Sequence, residues 1–332
     1  MLRNEKVIVA QGARLKEVIG KLVLPKTQYA LVDFPDHSNV GDSAIWLGEI
    51  RLLAELTGNN PAYVSTVESF DADKLEKAVP NGPILIHGGG NFGDIWRKHQ
   101  DFREAILKRF KDRLIVQLPQ SIKFHAESSI KQCAEIIGEH PNFHLLVRDE
   151  PSLELAQQNF SCTTHLVPDA AFALGHLKRP IKPRHTLFML LRTDSERATY
   201  DREPFNSANA ISDDWLVEST NFRKYSKLRA ALEALIKGAC TQEQRRLVYY
   251  QILATGRLNR GLRMLSSGER VITDRLHAHI LSTLLDIPHV ALDNNYGKVS
   301  GYINAWTKEY AGVGVANTAE EALVKIKHLP LN

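Results

Sequence analysis

Short apolar runs alternate with helical stretches along almost the whole chain, and this alternation constrains the fold more than any other feature. Strand-like runs occur at 29–34, 62–66, 83–89, 113–120, 143–149, 185–192, 215–220, 270–274, 289–293 and 312–317. Helical spacing occupies 42–58, 99–111, 126–139, 275–286, 298–310 and 318–328, and two more helices are expected within 222–266. This order predicts an α/β fold with a parallel sheet covered by helices on both faces.

The alternation restarts after Pro180, beside the loop-like sequence "KRPIKPRH". We therefore predict two domains, 1–178 and 179–332, and the last helix could pack back on the first of them. The polar stretch 193–214 is too long for a routine connection. The sequence leaves open whether it is a mobile lid or disordered.

Charge and cysteine content narrow the functional class. The 332 residues include 42 Lys and Arg and 38 Asp and Glu, giving a net charge of +4. This mild excess suits an anionic small substrate or loose contact with an anionic membrane surface, and it does not indicate a nucleic-acid partner. Three scattered cysteines without a Cys-x-x-Cys pair argue against disulfides or zinc and predict a cytoplasmic location. No run is typical of a signal peptide or a membrane span.

Polar residues follow one predicted strand after another. Because ligands of open α/β sheets bind outside the carboxyl ends of the strands, these residues form the candidate site. In chain order they are Asn39, Asp42, Gly88, Gly89, Gly90, Asn91, Asp94, Gln120, Ser121, Arg148, Asp169, Asp274, Arg275 and His277.

Several of these residues have a structural interpretation that the sequence leaves open. Asp42 could be a helix N-cap, and the glycines at 88–90 could simply form a tight turn with positive φ. The stretch "GGGNFG" also lacks the lysine of a P-loop and the spacing of a dinucleotide-binding motif. His87 and His279 are expected in the core.

Arg275 and His277 point more strongly to chemistry. A cation in the first turn of a helix opposes the helix dipole, which favours anions there. An anion held jointly by Arg275 and the helix N–H groups would account for this position. His277 would then lie in the same pocket as a general base or acid. Arg148 is placed similarly in the first half, so the two arginines could share a small polyanion.

Six motifs occur in the order of a known family. They are "NVGD" at 39–42, "GGGNFGD" at 88–94, "LPQSI" at 118–122, "VRDEPS" at 147–152, "VPDAAF" at 167–172 and "TDRLHAHI" at 273–280. Together they resemble the polysaccharide pyruvyl transferase family, particularly its bacterial exopolysaccharide members. The resemblance implies two Rossmann-like domains facing a cleft, as in glycosyltransferases of type B (GT-B).

The resemblance also implies a reaction. The family moves the pyruvyl group of phosphoenolpyruvate (PEP) onto two hydroxyls of one sugar, forming a cyclic ketal and releasing phosphate. Arg275-Leu276-His277 matches a functional motif of the family, and Arg148 matches an arginine of its first domain. The acceptor is expected to be lipid-linked, at the cytoplasmic face of the plasma membrane. The oligomeric state is left open.

These implications give each residue an expected role. Arg148 and Arg275 would bind the carboxylate and phosphate of PEP, in an order that the sequence does not settle. His277 would act as base, and Asp169 or Asp42 would stabilise the oxocarbenium charge. Backbone N–H groups at Gly88–Gly90 would cradle the phosphate or position the acceptor. The scheme needs no cofactor and no metal.

The sugar could stack on an aromatic ring, although each candidate is a more ordinary core residue. The candidates are Trp96, Trp215, Tyr296 and Trp306.

Two other functions remain open from sequence. A GT-B glycosyltransferase would use a nucleotide sugar, and Asp293 or Glu320 could then bind its ribose. A non-catalytic binding or stress protein could have kept the fold, although the candidate site residues are all present.

Overall fold

The first half of the chain forms a parallel sheet. The computed structural model describes residues 4–193, 200–206, 210–293 and 298–331. Within them the strands of the first sheet are β1 Ala30–Val32, β2 Tyr63–Ser65, β3 Ile84–Ile86, β4 Gly89–Phe92, β5 Ile115–Ile122, β6 Phe143–Val147 and β7 Thr163–Leu166. They lie in the order β2-β1-β3-β5-β6-β7, and β4 also pairs with β5.

The second half forms a separate parallel sheet. Its described strands are β8 His185–Leu190, β9 Ile211–Asp213, β10 Gly268–Thr273, β11 His289–Leu292 and β12 Val313–Ala316. Their order is β12-β11-β10-β8-β9. The α/β class with parallel sheets is thus confirmed, while the GT-B arrangement and the 178/179 domain boundary stay predictions.

Helices connect and cover the strands. Those described are α1 Glu5–Leu22, α2 Val40–Thr57, α3 Ala72–Ala78, α4 Arg97–Arg109, α5 Glu127–Gly138, α6 Glu150–Asn159, α7 Glu203–Asn206, α8 Phe222–Ile236, α9 Gln242–Ser266, α10 Leu276–Leu284, α11 Lys298–Tyr302 and α12 Ala319–His328. A 3₁₀ turn spans Ala170–Leu174, and a π-helical turn spans Ile303–Thr307. None of the described helices is long and apolar enough to cross a lipid bilayer.

One local prediction is wrong. The run 215–220 is not a strand, because Trp215 is buried in the core, Val217 is exposed and the edge of β8 is already paired by β9. The sequence left open whether the glycines at 88–90 simply form a tight turn, and in the structure β4 of this stretch pairs with β5. Gly89 has a φ of 130°, which side-chain-bearing residues rarely adopt.

The polar stretch 193–214 is folded where it is described. Residues 200–206 include α7, and β9 extends the second sheet. Tyr200 and Arg202 both donate to the carboxylate of Asp274, at 3.0 and 2.9 Å. These residues are therefore ordered against the end of β10, and the mobile lid stays a prediction.

One hydrophobic core joins the two halves. It includes α1, α2, α9 and α10 and runs from Leu31 in β1 to Val271 in β10. The last helix does not return to the first half as expected. Its buried residues Ala319, Ala322 and Ile326 pack against the second sheet. The chain enters α12 directly from β12, a strand of the second sheet, so the apolar face of the helix packs on that sheet.

The strand order creates a crevice in each sheet. The chain runs from β1 outward to β2 and returns to β3 on the other side of β1. In the second sheet β9 and β10 likewise lie on opposite sides of β8. The loops that follow two neighbouring strands run in opposite directions at such a point and leave a crevice between them. A ligand is therefore expected at the carboxyl ends of β1, β3, β8 and β10.

A buried histidine pair fixes α10 against the second sheet. Nδ1 of His279 lies 2.7 Å from Nε2 of His289. On the other side of its ring, His289 places Nδ1 2.8 Å from the Ile287 carbonyl oxygen. Nε2 of His279 lies 2.9 Å from Oγ1 of Thr307. When both imidazole rings are neutral, each of these three contacts pairs one donor with one acceptor. His279 is therefore a core residue, as predicted, and it holds the helix that carries His277.

This pair should make stability depend on pH. Burial lowers the pKa of His289 to about 4 and that of His279 well below its usual range. The unfolded chain binds protons from about pH 6.5 downward, so stability should fall as pH drops from 6.5 toward 4. His289 alone should contribute about 3 kcal/mol to this loss. Denaturant unfolding at successive pH values should show the slope, and a His279→Gln, His289→Gln variant should flatten it. Equal slopes in both proteins would contradict the assignment.

Candidate active site

A cavity of about 450 Å³ lies where the carboxyl ends of the two sheets meet. The described residues that line it are Asp33, Pro35, His37, Ser38, Asn39, Asp42, His87, Gly88, Gly90, Asn91, Trp96, His99, Arg148, Arg192, Trp215, Leu216, Asp274, Arg275, Leu276, His277 and Val299. Both halves contribute, and both predicted arginines are present. The cavity thus brings together residues far apart in sequence.

The start of α2 forms one wall. Asn39, not Asp42, is the N-cap, because its Oδ1 accepts from the Gly41 N–H at 3.1 Å. The side-chain amide of Asn39 also donates to Oδ2 of Asp42 at 2.8 Å. Burial alone would raise the pKa of Asp42, but the imidazoles of His37 and His277 outweigh it and lower the pKa. Asp42 is therefore held as a carboxylate facing the cavity.

The glycine-rich segment forms the floor. Asn91 places its N–H 3.2 Å from Oε1 of Gln120, and its Oδ1 accepts from Nε2 of Gln120 at 2.7 Å. Oδ1 also accepts from the buried guanidinium of Arg103 at 3.0 Å. Gln120 is fully buried and acts on the site through Asn91. Gly88 and Gly90 line the cavity directly, whereas Gly89 is not among the described lining residues.

Asp94 has a structural contact that differs from its predicted role. Its two oxygens accept from the backbone N–H groups of His125 and Ala126, each at 2.8 Å. These residues directly precede α5, where a carboxylate stabilises the helix N-terminus. Asp94 is not among the described residues that line the cavity, because it is turned toward this helix.

Arg148 is anchored by two buried partners. Its Nε donates to Oγ of Ser121 at 2.9 Å, and its Nη1 donates to Oδ2 of Asp169 at 2.5 Å. The guanidinium is 2% exposed and still lines the cavity. Ser121 is thus placed behind the arginine and contributes by orienting it.

Asp169 connects Arg148 to His277. The same Oδ2 that binds Arg148 lies 3.3 Å from Nε2 of His277. Burial alone would raise the pKa of Asp169, but the charges of His277 and Arg148 outweigh it and lower the pKa well below its usual range. Asp169 is fully buried behind the cavity wall. In this position it orients the two cavity residues rather than facing a ligand.

The loop after β10 supplies Asp274 and Arg275. Asp274 accepts from the N–H of Arg192 at 2.7 Å, besides its bonds to Tyr200 and Arg202. Arg275 is the N-cap residue of α10, one position before the predicted first turn. Its Nη2 donates to Oδ2 of Asp214 at 2.7 Å. The cation is therefore held at the cavity by a residue of the polar stretch.

The structure adds a buried His–Glu pair that the predicted site lacked. Nδ1 of His87 lies 2.6 Å from Oε2 of Glu49, and Oε1 of Glu49 accepts from the Gly88 N–H at 2.8 Å. Burial alone would lower the pKa of His87, but the charge of Glu49 outweighs it and raises the pKa. Nε2 of His87 has no hydrogen-bond partner among the described residues. One signal in the sequence could have revealed this pair, because Glu49 is a charged residue on the otherwise apolar face of α2.

A second histidine–carboxylate pair borders the cavity. Nδ1 of His99 lies 2.9 Å from Oδ1 of Asp33, and the Asn91 amide donates to Oδ2 of Asp33 at 3.3 Å. Asp33 has a φ of 69°, which is uncommon for a residue other than glycine. The pair could not be inferred from spacing because 66 positions separate its members.

The aromatic candidates differ in position. Trp96 lines the cavity and is 51% exposed, whereas Trp215 lines it from a buried position. Trp306 packs against the core and donates from Nε1 to the Arg148 carbonyl at 3.0 Å. Tyr296 lies outside the described residues. Among the described candidates, Trp96 thus has the most exposed ring.

Two parallel sheets with a shared cavity of histidines, arginines and carboxylates define an α/β protein with a candidate site for an anionic ligand. The sequence profile of the polysaccharide pyruvyl transferase family matches residues 39–296. The chain belongs to this family, which places it among the transferases.

Individual relatives agree with this assignment. "Pyruvyl transferase 1" of Schizosaccharomyces pombe is 31% identical over 297 residues, 83% of this chain and 69% of that protein. "Putative pyruvyl transferase EpsO" of Bacillus subtilis is 33% identical over 288 residues, 86% of this chain and 87% of that protein. A crystal structure of a functionally uncharacterized Klebsiella pneumoniae protein has a TM-score of 0.57 and 17% identity, and covers 92% of this chain and 97% of its own. This last likeness concerns the fold alone.

The contact between α2 and His277 should tolerate no side chain at Gly41. A Cβ built there would lie 2.5 Å from Cγ of His277. We expect Gly41→Ala to lower stability by about 1–3 kcal/mol through overpacking. Gly12 is the matched control, since a Cβ on this helical glycine meets no atom within 4 Å. Gly12→Ala should be neutral or stabilise by up to ~1 kcal/mol. Thermal unfolding tests both, and similar melting temperatures would contradict the packing.

Proposed function

We propose that this protein transfers the pyruvyl group of PEP onto two hydroxyls of one sugar in a cell-surface glycan precursor. The product is a cyclic ketal, and phosphate is released. The observation that carries the proposal is that Arg148, Arg275 and His277, from opposite halves of the chain, line one cavity. Family membership supports a pyruvyl transferase, and the lining residues suit the two anionic groups of PEP.

The arginines provide the anion-binding groups. Ser121 and Asp169 occupy Nε and Nη1 of Arg148, and no described residue bonds its Nη2. We assign Nη2 of Arg148 and the guanidinium of Arg275 to the carboxylate and phosphate of PEP, in either order. Charge-assisted bonds of this kind are stronger than neutral ones, and burial strengthens them further.

His277 is the proposed base. Donation from Nε2–H to Asp169 would leave Nδ1 as the basic nitrogen, which lies beside Gly41 of α2, and His277 itself lines the cavity. Nδ1 takes the proton of the first sugar hydroxyl as its oxygen bonds to C2 of PEP. Asp169 holds this tautomer and balances the imidazolium that forms.

His87 is the proposed acid. His87 lines the cavity, its buried Nε2 has no hydrogen-bond partner among the described residues, and its raised pKa favours the protonated form. It delivers a proton to C3, which becomes the methyl group of the pyruvyl unit. Positive charge develops at C2 as C3 is protonated and again as phosphate leaves, and the carboxylate of Asp42 is placed to stabilise it. The C2–O bond to phosphate breaks first, the second hydroxyl oxygen then bonds to C2, and phosphate takes up the second hydroxyl proton.

The acceptor sugar would bind at the open side of the cavity. The half-exposed ring of Trp96 provides an apolar surface for a sugar face. Neither Asp293 nor Glu320 is among the described lining residues. This weighs against the glycosyltransferase alternative, which needs a carboxylate for the ribose of a nucleotide sugar.

A direct assay tests the reaction. Purified protein should release phosphate from PEP when a glycan acceptor is present, and mass spectrometry should find one pyruvate ketal on the glycan. Arg148→Ala or Arg275→Ala should lower kcat/KM roughly 10²–10³-fold, as expected when an electrostatic contact to a charged transition state is removed. A nucleotide sugar that is consumed while PEP is not would contradict the proposal.

The role of His87 predicts a pH signature. His87→Asn should lower kcat roughly 10²–10⁴-fold, while the KM for PEP changes little. Glu49→Gln removes the charge that raises the His87 pKa, so the alkaline limit of activity should move to lower pH. Thermal unfolding of both variants controls for misfolding. A folded Glu49→Gln enzyme with the pH profile of the parent would contradict the role.

A further inference from the structure

Helix α8 presents a stripe of large apolar side chains to solvent. Their exposed fractions range from 56% to 85%. The outer stripe consists of Tyr225, Leu228, Leu232, Leu235 and Ile236. Spacings of three and four residues place them on one face of the helix. A surface stripe of this kind marks an interaction site.

The opposite face of α8 holds the helix to the protein. Its buried positions are the small residues Ser226, Ala230 and Ala234, and the two alanines pack with Val248 and Ile252 of α9. At 100° per residue, Ala230 lies almost opposite Leu232. The large side chains are therefore not core residues of this chain, and the helix needs none of them for its contact with α9.

Positive charge borders the outer stripe. Residues 222–237 contain Arg223, Lys224, Lys227, Arg229 and Lys237 against a single acid, Glu233. The net charge of this segment is thus +4. The helical period places Lys224 and Arg229 at the two edges of the outer stripe.

We propose that α8 docks the protein on an anionic lipid bilayer, with the outer stripe in the interface and the basic residues at its edges, Lys224 and Arg229, against the headgroups. Apolar area and electrostatic attraction to anionic lipids together drive this mode of binding. A second copy of the chain fits less well, because two helices with a charge of +4 would face each other.

The docking surface lies beside the cavity mouth. Nη1 of Arg223, in the first turn of α8, bonds to Oδ2 of Asp36 at 2.9 Å. The neighbouring residues Pro35 and His37 line the cavity. Membrane docking would thus bring the cavity close to the headgroup layer, where a lipid-linked sugar would be found. This last consequence rests on the proposed function, whereas the docking itself does not.

Vesicle sedimentation tests the docking without any catalytic readout. The full-length protein should sediment with vesicles of phosphatidylglycerol and phosphatidylcholine, less so at high salt, and hardly with phosphatidylcholine alone. Leu228→Glu combined with Leu235→Glu should lower binding at least tenfold. Val9→Glu combined with Val324→Glu, at exposed apolar positions on α1 and α12, is the matched control and should bind like the parent.

Removing positive charge from α8 separates the electrostatic contribution to membrane binding from the apolar one. Lys224→Ala combined with Arg229→Ala should weaken binding to the anionic vesicles by roughly fivefold for each charge removed. Phosphate release with a water-soluble acceptor should stay unchanged in every α8 variant that folds, so failure of docking and failure of the reaction are distinguishable.

Three results would overturn the proposal. They are a parent protein that does not sediment with anionic vesicles, a folded Leu228→Glu, Leu235→Glu variant that sediments like the parent, and an outer stripe that is buried in a dimer. Analytical ultracentrifugation detects the last case, since the same variant would then convert a dimer to monomers.

Discussion

The buried carboxylate of Asp169 is the interaction on which the site depends. One oxygen of this group binds Arg148, at the end of β6, and His277, in the first turn of α10. These two residues belong to opposite halves of the chain, so the contact fixes the two halves of the cavity relative to each other. Removing either partner would leave a buried charge unbalanced, which is costly. The Asp169 carboxylate thus both fixes the positions of Arg148 and His277 and balances their positive charge.

The rest of the fold supports this contact. A continuous core joins the two sheets through α1, α2, α9 and α10, and the His279–His289 pair holds α10 from its other side. The loop ends at the strand crossovers then supply the remaining polar groups. Buried partners orient the cavity side chains in advance, which is the arrangement that electrostatic catalysis requires.

Sequence periodicity was sufficient to predict the parallel α/β class and the strand ends at which polar residues gather. It also placed Arg148, Arg275 and His277 at those ends, although a resemblance was needed to suggest what they bind. Long-range pairs could not be predicted. Glu49 with His87, Asp33 with His99, and Asp214 with Arg275 are each separated by dozens of residues, and spacing along one element does not reveal them. Predictions from local sequence were wrong where tertiary contacts decide the position of a side chain. Asp94 binds the N–H groups just before α5, and Trp215 packs into the core.

The structure of the protein with bound PEP tests the central claim most directly. That claim is that the two arginines converge on one ligand. The account predicts a single PEP molecule in the cavity, with its carboxylate bound by one of the guanidinium groups of Arg148 and Arg275 and its phosphate by the other. A PEP molecule that contacts just one of these arginines, or that lies outside the cavity, would contradict it.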